Sequence, residues 1–139
     1  MHANVFDFSE LLSRSTERYL EFVRVPSFSV GIYVLESGAT DHQTPHAEGE
    51  VYYVASGRAK MKIGSDREVK KFNVLPGTII FVPARVNHSF YEITERLAVL
   101  VFFGPKESIH RADLTLMWSR MQATNFGNFR SIRLIVSSC

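Results

Sequence analysis

Hydrophobic and polar residues alternate in short runs along most of the chain, and turn residues separate the runs. The clearest case is residues 59–63, AKMKI, whose alanine, methionine and isoleucine would face one side of a strand and whose lysines would face the other. Short runs of this kind are typical of an all-β sandwich or barrel. The predicted strands are Leu20–Val25, Ser27–Leu35, Val51–Ala55, Ala59–Ile63, Glu68–Leu75, Thr78–Val82, His88–Ile93 and Ala98–Phe103. About eight strands would let the sheet close on itself and remove its exposed edges.

Both ends of the chain differ from this body. Residues 5–18 predict a short helix, with Ser9 as its N-cap and Glu10 in its first turn. Residues 108–122 also have helical spacing, and Phe129–Val136 predict a last strand. We therefore divide the chain into an N-terminal helical arm, a barrel and a C-terminal extension, which span residues 1–18, 19–105 and 106–139.

Composition narrows the classes of protein to which the chain can belong. Its 139 residues suit a single domain, and 45% hydrophobic with 22% charged residues is a globular balance. The net charge of +2 is too small to indicate a nucleic-acid or anionic-membrane partner. The single cysteine excludes an intrachain disulfide, no apolar run approaches the ~20 residues of a membrane span, and N-terminal acids argue against a secretory signal. A soluble, cytoplasmic protein is expected.

The histidines supply the candidate chemistry. His42, His46 and His88 lie in turn-flanked positions beside predicted strands, and Glu50 follows His46 by four residues. If His46 ends one strand and Glu50 opens the next, the short reversal between them brings both side chains to one mouth of the barrel. Imidazole and carboxylate together suit a divalent transition metal such as iron, manganese, nickel, zinc or copper.

The spacing of these residues resembles the first motif of the cupin family. That motif is Gly, five residues, His, one residue, His, three or four residues, Glu, six residues and Gly. The corresponding residues here are Gly38, Thr44, His46, Glu50 and Gly57, so every spacing is kept and Thr44 replaces the first histidine.

A second cupin motif follows in the expected order. The family has Gly, five residues, Pro, one residue, Gly, two residues, His, three residues and Asn. This chain has Gly77, Pro83, Arg85, His88 and Glu92, so the second glycine and the asparagine are replaced. The resemblance covers roughly residues 19–105 and leaves the C-terminal extension outside it.

The resemblance implies a cupin-type double-stranded β-helix, or jelly-roll barrel, here with a short N-terminal helix and a helical C-terminal extension. It also implies a homodimer and a metal held inside the barrel by His46, Glu50 and His88. Two residues are alternatives for the missing ligand. His42 ranks first, because even spacing along a strand returns a side chain to the same face. Gln43 would serve through its amide oxygen if Pro45 bends the strand.

Two further side chains are candidates for catalysis. Tyr52 has the same strand parity as Glu50 and would offer a phenol inside the cavity, as an acid, base or extra ligand. Arg85 precedes His88 closely and would offer a guanidinium that clamps a substrate carboxylate. The resulting hypothesis is a metal-dependent enzyme, with a dioxygenase favoured, that acts on a small organic molecule. The alternative is a non-catalytic cupin that binds a small ligand or has a regulatory role.

Overall fold

The structure, a computed structural model, describes residues 3–65 and 68–106 and consists of one curled antiparallel sheet and one short helix. The helix α1 spans Phe8–Arg14, and the six strands are β1 (Tyr19–Val25), β2 (Phe28–Leu35), β3 (Glu48–Ser65), β4 (Glu68–Val74), β5 (Ile79–Val82) and β6 (His88–Lys106). Two of these strands, β3 and β6, are 18 and 19 residues long and run through the whole sheet. This architecture confirms the all-β prediction.

The sheet curls because β3 changes partners along its length. The strand order is β1-β2-β6-β3-β4, and β5 pairs with β3 outside this path. The first part of β3 pairs with β5 and the last part with β4, while β6 pairs along its other edge. Buried side chains from β2 to β6 form one large core cluster, and the sheet wraps around it, while a smaller cluster lies on the outer face of the sheet.

The eight predicted strands correspond to six observed ones, because two predicted breaks are irregularities inside continuous strands. The predicted turn at Ser56 and Gly57 lies within β3, where the pairing with β6 shifts register. Gly57 has φ of +91°, a conformation that lets the strand bulge and continue without ending. The second break, between the predicted strands His88–Ile93 and Ala98–Phe103, lies within β6. The prediction of separate strands on each side of the two breaks was therefore wrong.

The helix α1 covers the outer face of the sheet. Ile32 and Val34 of β2 point away from the barrel interior and pack against the helix, which contributes Phe8, Leu11 and Leu12. The N-cap is Asp7, whose carboxylate accepts a hydrogen bond from the Glu10 amide at 2.9 Å, and the prediction of Ser9 as the cap was wrong. Aspartate and serine both cap helices well, but only a helix that begins at Phe8 includes the Phe8 side chain in its apolar face.

The predicted C-terminal helix and last strand, at residues 108–122 and Phe129–Val136, lie outside the described residues. Within the parts of the chain that the structure does describe, no helix has the length and apolar character needed to cross a membrane.

Candidate metal centre

Three potential ligands converge inside the barrel. One ligand atom each from His46, Glu50 and His88 lies within 4.8 Å of the other two. His46 lies in the loop before β3, Glu50 near the start of β3, and His88 opens β6. The convergence depends on curvature: Glu50 pairs with Phe103 and His88 with Ile63, so a flat ladder would hold Glu50 and His88 roughly 40 Å apart.

Hydrogen bonds orient the two imidazoles. His46 Nδ1 lies 2.6 Å from Glu50 Oε1, and His88 Nε2 lies 3.5 Å from Glu50 Oε2. His88 Nδ1 lies 2.9 Å from the Val86 carbonyl oxygen, which can only accept, so Nδ1 carries the proton. In the neutral ring, the Nε2 lone pair of His88 then points into the site. An outer hydrogen bond of this kind fixes the tautomer of histidines that bind metals.

The site contains more acceptors than protons. The Tyr52 hydroxyl contacts the Glu50 carboxylate, lies 2.8 Å from Gln43 Oε1 and lies 3.0 Å from His88 Nε2. One hydroxyl proton can serve only one of these three acceptors at a time. Among the described residues no lysine or arginine pairs with Glu50, which is only 1% exposed. A buried carboxylate that is surrounded by imidazole and hydroxyl groups, with no lysine or arginine partner among the described residues, fits a divalent transition metal.

The pKa shifts show that these groups are electrostatically coupled. Burial alone would raise the pKa of the Glu50 carboxyl, but hydrogen bonds from His88 and Tyr52 hold that pKa below its ordinary value. Burial would lower the pKa of His88, whereas its hydrogen bond to Glu50 raises it overall. The pKa of Tyr52 is raised, first by burial and then by the Glu50 charge. Without a cation, these shifts favour a proton on His88 that is shared with Glu50, and a metal bound at the same lone pairs would take the place of that proton.

A small cavity of about 240 Å³ adjoins these residues. Its walls are mostly aromatic and are formed by Tyr19, Tyr33, Gln43, His46, Tyr52, Val101 and Phe103. A larger outer cavity of about 800 Å³ shares three of them, Tyr19, His46 and Phe103. His46 is the most accessible of the three potential ligands, with 36% of its side chain exposed, and it lies where the two cavities meet.

The structure separates the two alternatives for the fourth ligand. His42 is exposed and is not part of the converging set, whereas the amide oxygen of Gln43 points to the Tyr52 hydroxyl. Gln43 therefore lies next to the site and His42 does not, which is the reverse of the order expected from spacing. Residues 36–47 do not form a strand, so the even-spacing argument for His42 does not apply.

The structure brings Tyr52 into the site but not the guanidinium of Arg85. Arg85 is exposed and lines neither of the two cavities. Its backbone N–H instead donates a 2.7 Å hydrogen bond to the carbonyl oxygen of His46. The turn before His88 therefore holds the loop that carries His46, which links the two sequence motifs through the backbone.

Comparison with known proteins decides the family. The family model described as the cupin domain matches residues 31–104, which is more than half of the chain. The protein is a cupin. A protein of Streptomyces coelicolor, described as uncharacterized, is 48% identical over 90 residues, which are 65% of this chain and 82% of that protein.

Several solved structures share the fold of this cupin although their sequence identity to it is low. The DMSP lyase DddQ from Ruegeria pomeroyi matches with a TM-score of 0.56 and 14% identity, over 70% of this chain and 52% of that one. Fe(II)-HppE with an alternative substrate matches with a TM-score of 0.51 and 23% identity, over 62% and 48%. This chain spans only about a quarter of the length of other matched structures.

The two departures from the second cupin motif occur where the backbone is left-handed. Arg85 and Glu92 replace the family's glycine and asparagine, and their φ angles are +63° and +45°. No other non-glycine residue in the described parts of the chain has a positive φ. Glycine has no Cβ to strain this conformation, and asparagine tolerates it better than most residues. Glycine and asparagine would therefore suit these two left-handed positions better than the arginine and glutamate of this chain.

We expect Arg85→Gly to stabilise the protein. A left-handed conformation costs a non-glycine residue about 1–2 kcal/mol, and the greater freedom of glycine in the unfolded chain offsets part of the gain. The free energy of unfolding should rise by about 0.5–1 kcal/mol in urea denaturation. Arg85→Ala is the control, because it removes the exposed guanidinium and keeps the strain. A similar gain from both variants would attribute the effect to the side chain and contradict the prediction.

Proposed function

We propose that this cupin is a metal-dependent enzyme that acts on a small organic molecule bound in the barrel, with oxygenation as the favoured reaction. The observation that carries the proposal is the convergence of His46, Glu50 and His88 beside a small cavity. Two histidines and one carboxylate form the ligand set of non-haem iron oxygenases, and they leave positions open for substrate and oxygen. The structural likeness to Fe(II)-HppE supports iron among the candidate metals.

The cavity and its walls bound the substrate. A volume of about 240 Å³ equals the liquid volume of roughly eight water molecules, at about 30 Å³ each. The aromatic walls favour an apolar or aromatic body, and the open side at His46 gives access from the outer cavity. A bound divalent metal would supply Lewis acidity or, as iron, a redox centre through which electrons pass from the substrate to oxygen. The Tyr52 hydroxyl would lie beside the bound substrate, within hydrogen-bond distance of Glu50 and His88.

Metal loading tests this proposal. We expect the protein to bind about one Fe(II) per chain under anaerobic conditions, as measured by elemental analysis after gel filtration. Nitric oxide, a probe for open coordination positions, should then produce the EPR signal of a high-spin iron–nitrosyl complex. Protein that can neither retain nor take up a divalent transition metal would refute the enzyme proposal. Bound iron without a nitrosyl signal would refute oxygenation.

The alternative is a cupin that binds a small ligand, or regulates a partner, without catalysis. The replacement of the first motif histidine by Thr44, which is exposed, favours it. A metal-free protein that still binds small aromatic molecules in the barrel would support this alternative. A homodimer and a cytoplasmic location stay predictions.

A further inference from the structure

Asp41, which lies outside the spacing of the two motifs, is linked by hydrogen bonds to Gln43 and Phe90 beside the candidate metal centre. Asp41 accepts four hydrogen bonds: from the Tyr33 hydroxyl at 2.7 Å, the Phe90 amide at 2.8 Å, and both the side-chain and backbone N–H groups of Gln43 at 2.9 and 3.2 Å. The bond to Phe90 ties this loop to β6, two residues beyond His88. Asp41 is thus held from three sides.

These hydrogen bonds determine the orientation of the Gln43 amide. The Gln43 side-chain N–H donates to a carboxylate oxygen of Asp41, so the nitrogen of the amide faces Asp41. The oxygen then faces the opposite way, where it accepts a hydrogen bond from the Tyr52 hydroxyl at 2.8 Å. Asp41 therefore assigns the orientation, and Gln43 Oε1 points to the Tyr52 hydroxyl, which also contacts Glu50 and His88.

We propose that Gln43 Oε1 is the fourth protein ligand of the metal and that Asp41 is the positioning residue that aims it. This inference rests on the metal centre of the proposed function. Thr44, at the motif position of the missing histidine, is exposed, whereas the amide of Gln43 lines the inner cavity with His46 and Tyr52. An amide oxygen is a harder ligand than imidazole and suits iron or manganese better than copper.

Cobalt binding tests the ligand. Co²⁺ has a visible spectrum that reports its ligand set, and its dissociation constant can be measured in competition with a chelator. We expect Gln43→Ala to weaken Co²⁺ binding about 10- to 100-fold and to change the visible spectrum. His42→Ala is the matched control, because it removes the adjacent exposed side chain, and it should change neither quantity. An unchanged affinity and spectrum in Gln43→Ala would overturn the inference.

Non-additivity tests the positioning role of Asp41. In Asp41→Asn, the new NH₂ group can face Gln43 and turn its amide, so we expect Co²⁺ affinity to fall about tenfold. The same change should have almost no effect in the Gln43→Ala background, because the group it positions is absent. Equal losses in both backgrounds would overturn the positioning role.

Two outcomes separate this inference from the proposed function. A wild-type protein that binds no Co²⁺ rejects the metal centre itself. A wild-type protein that binds Co²⁺ as tightly as Gln43→Ala does, with the same spectrum, rejects only the fourth ligand. If Asp41→Asn does not fold, as judged by circular dichroism, Asp41→Glu replaces it, because the longer side chain displaces the same carboxylate and retains its charge.

Discussion

Replacing His46 and His88 together by alanine is expected to abolish metal retention while the barrel stays folded. The double variant leaves Glu50 as the last member of the converging set. Loss of one residue that merely orients a ligand costs 10- to 100-fold in affinity, so loss of two ligands should cost on the order of a thousandfold or more. Elemental analysis of protein purified without added metal measures the effect directly.

The control for this experiment is His42→Ala, which removes an exposed histidine from the same loop and should leave the metal content unchanged. Circular dichroism and a thermal melt establish that the double variant folds. We expect both to show a native barrel, because the double variant leaves every apolar residue of the core cluster in place. Metal that survives in the double variant would show that the ligand assignment is wrong.

The sequence carries enough information for the fold and for the approximate position of the site. Alternation predicts strands, and strand parity predicts that Tyr52 and Phe90 share the interior with Glu50 and His88, which the structure confirms because all four are buried. His88 opens a strand after a proline-containing turn, as predicted. These predictions succeed because the period of a β-strand converts spacing into direction wherever the chain is extended.

Other parts of the site depend on contacts between distant residues, which spacing does not reveal. The spacing would bring His46 and Glu50 to one mouth if His46 ended a strand, but His46 lies in the loop that runs from the end of β2 to β3. In that loop, hydrogen bonds determine where the side chains point. Examples are the bonds between Asp41 and the Phe90 amide and between the Arg85 amide and the His46 carbonyl oxygen. The roles of Gln43 and Asp41 could therefore not be read from strand periodicity.

The second large effect is expected at Gly57, where the chain keeps a cupin motif residue. Gly57 lies at the irregular pairing of β3 with β6 and has φ of +91°. An added Cβ would lie 2.6 Å from Leu97 Cα and closer still to the Arg96 carbonyl oxygen. Both atoms belong to the backbone of β6, so the strand itself would have to move, and Leu97 is fully buried in the core.

Gly57→Ala should therefore lower the free energy of unfolding by at least about 3 kcal/mol, since it combines left-handed strain with a backbone clash. Urea denaturation measures the loss, and Gly77→Ala separates its two causes. Gly77 has φ of +87° and no atom within 4 Å of an added Cβ, so it should lose only about 1–2 kcal/mol from strain. Equal losses at the two positions would mean that β6 yields easily and that the close approach of the strands does not require glycine.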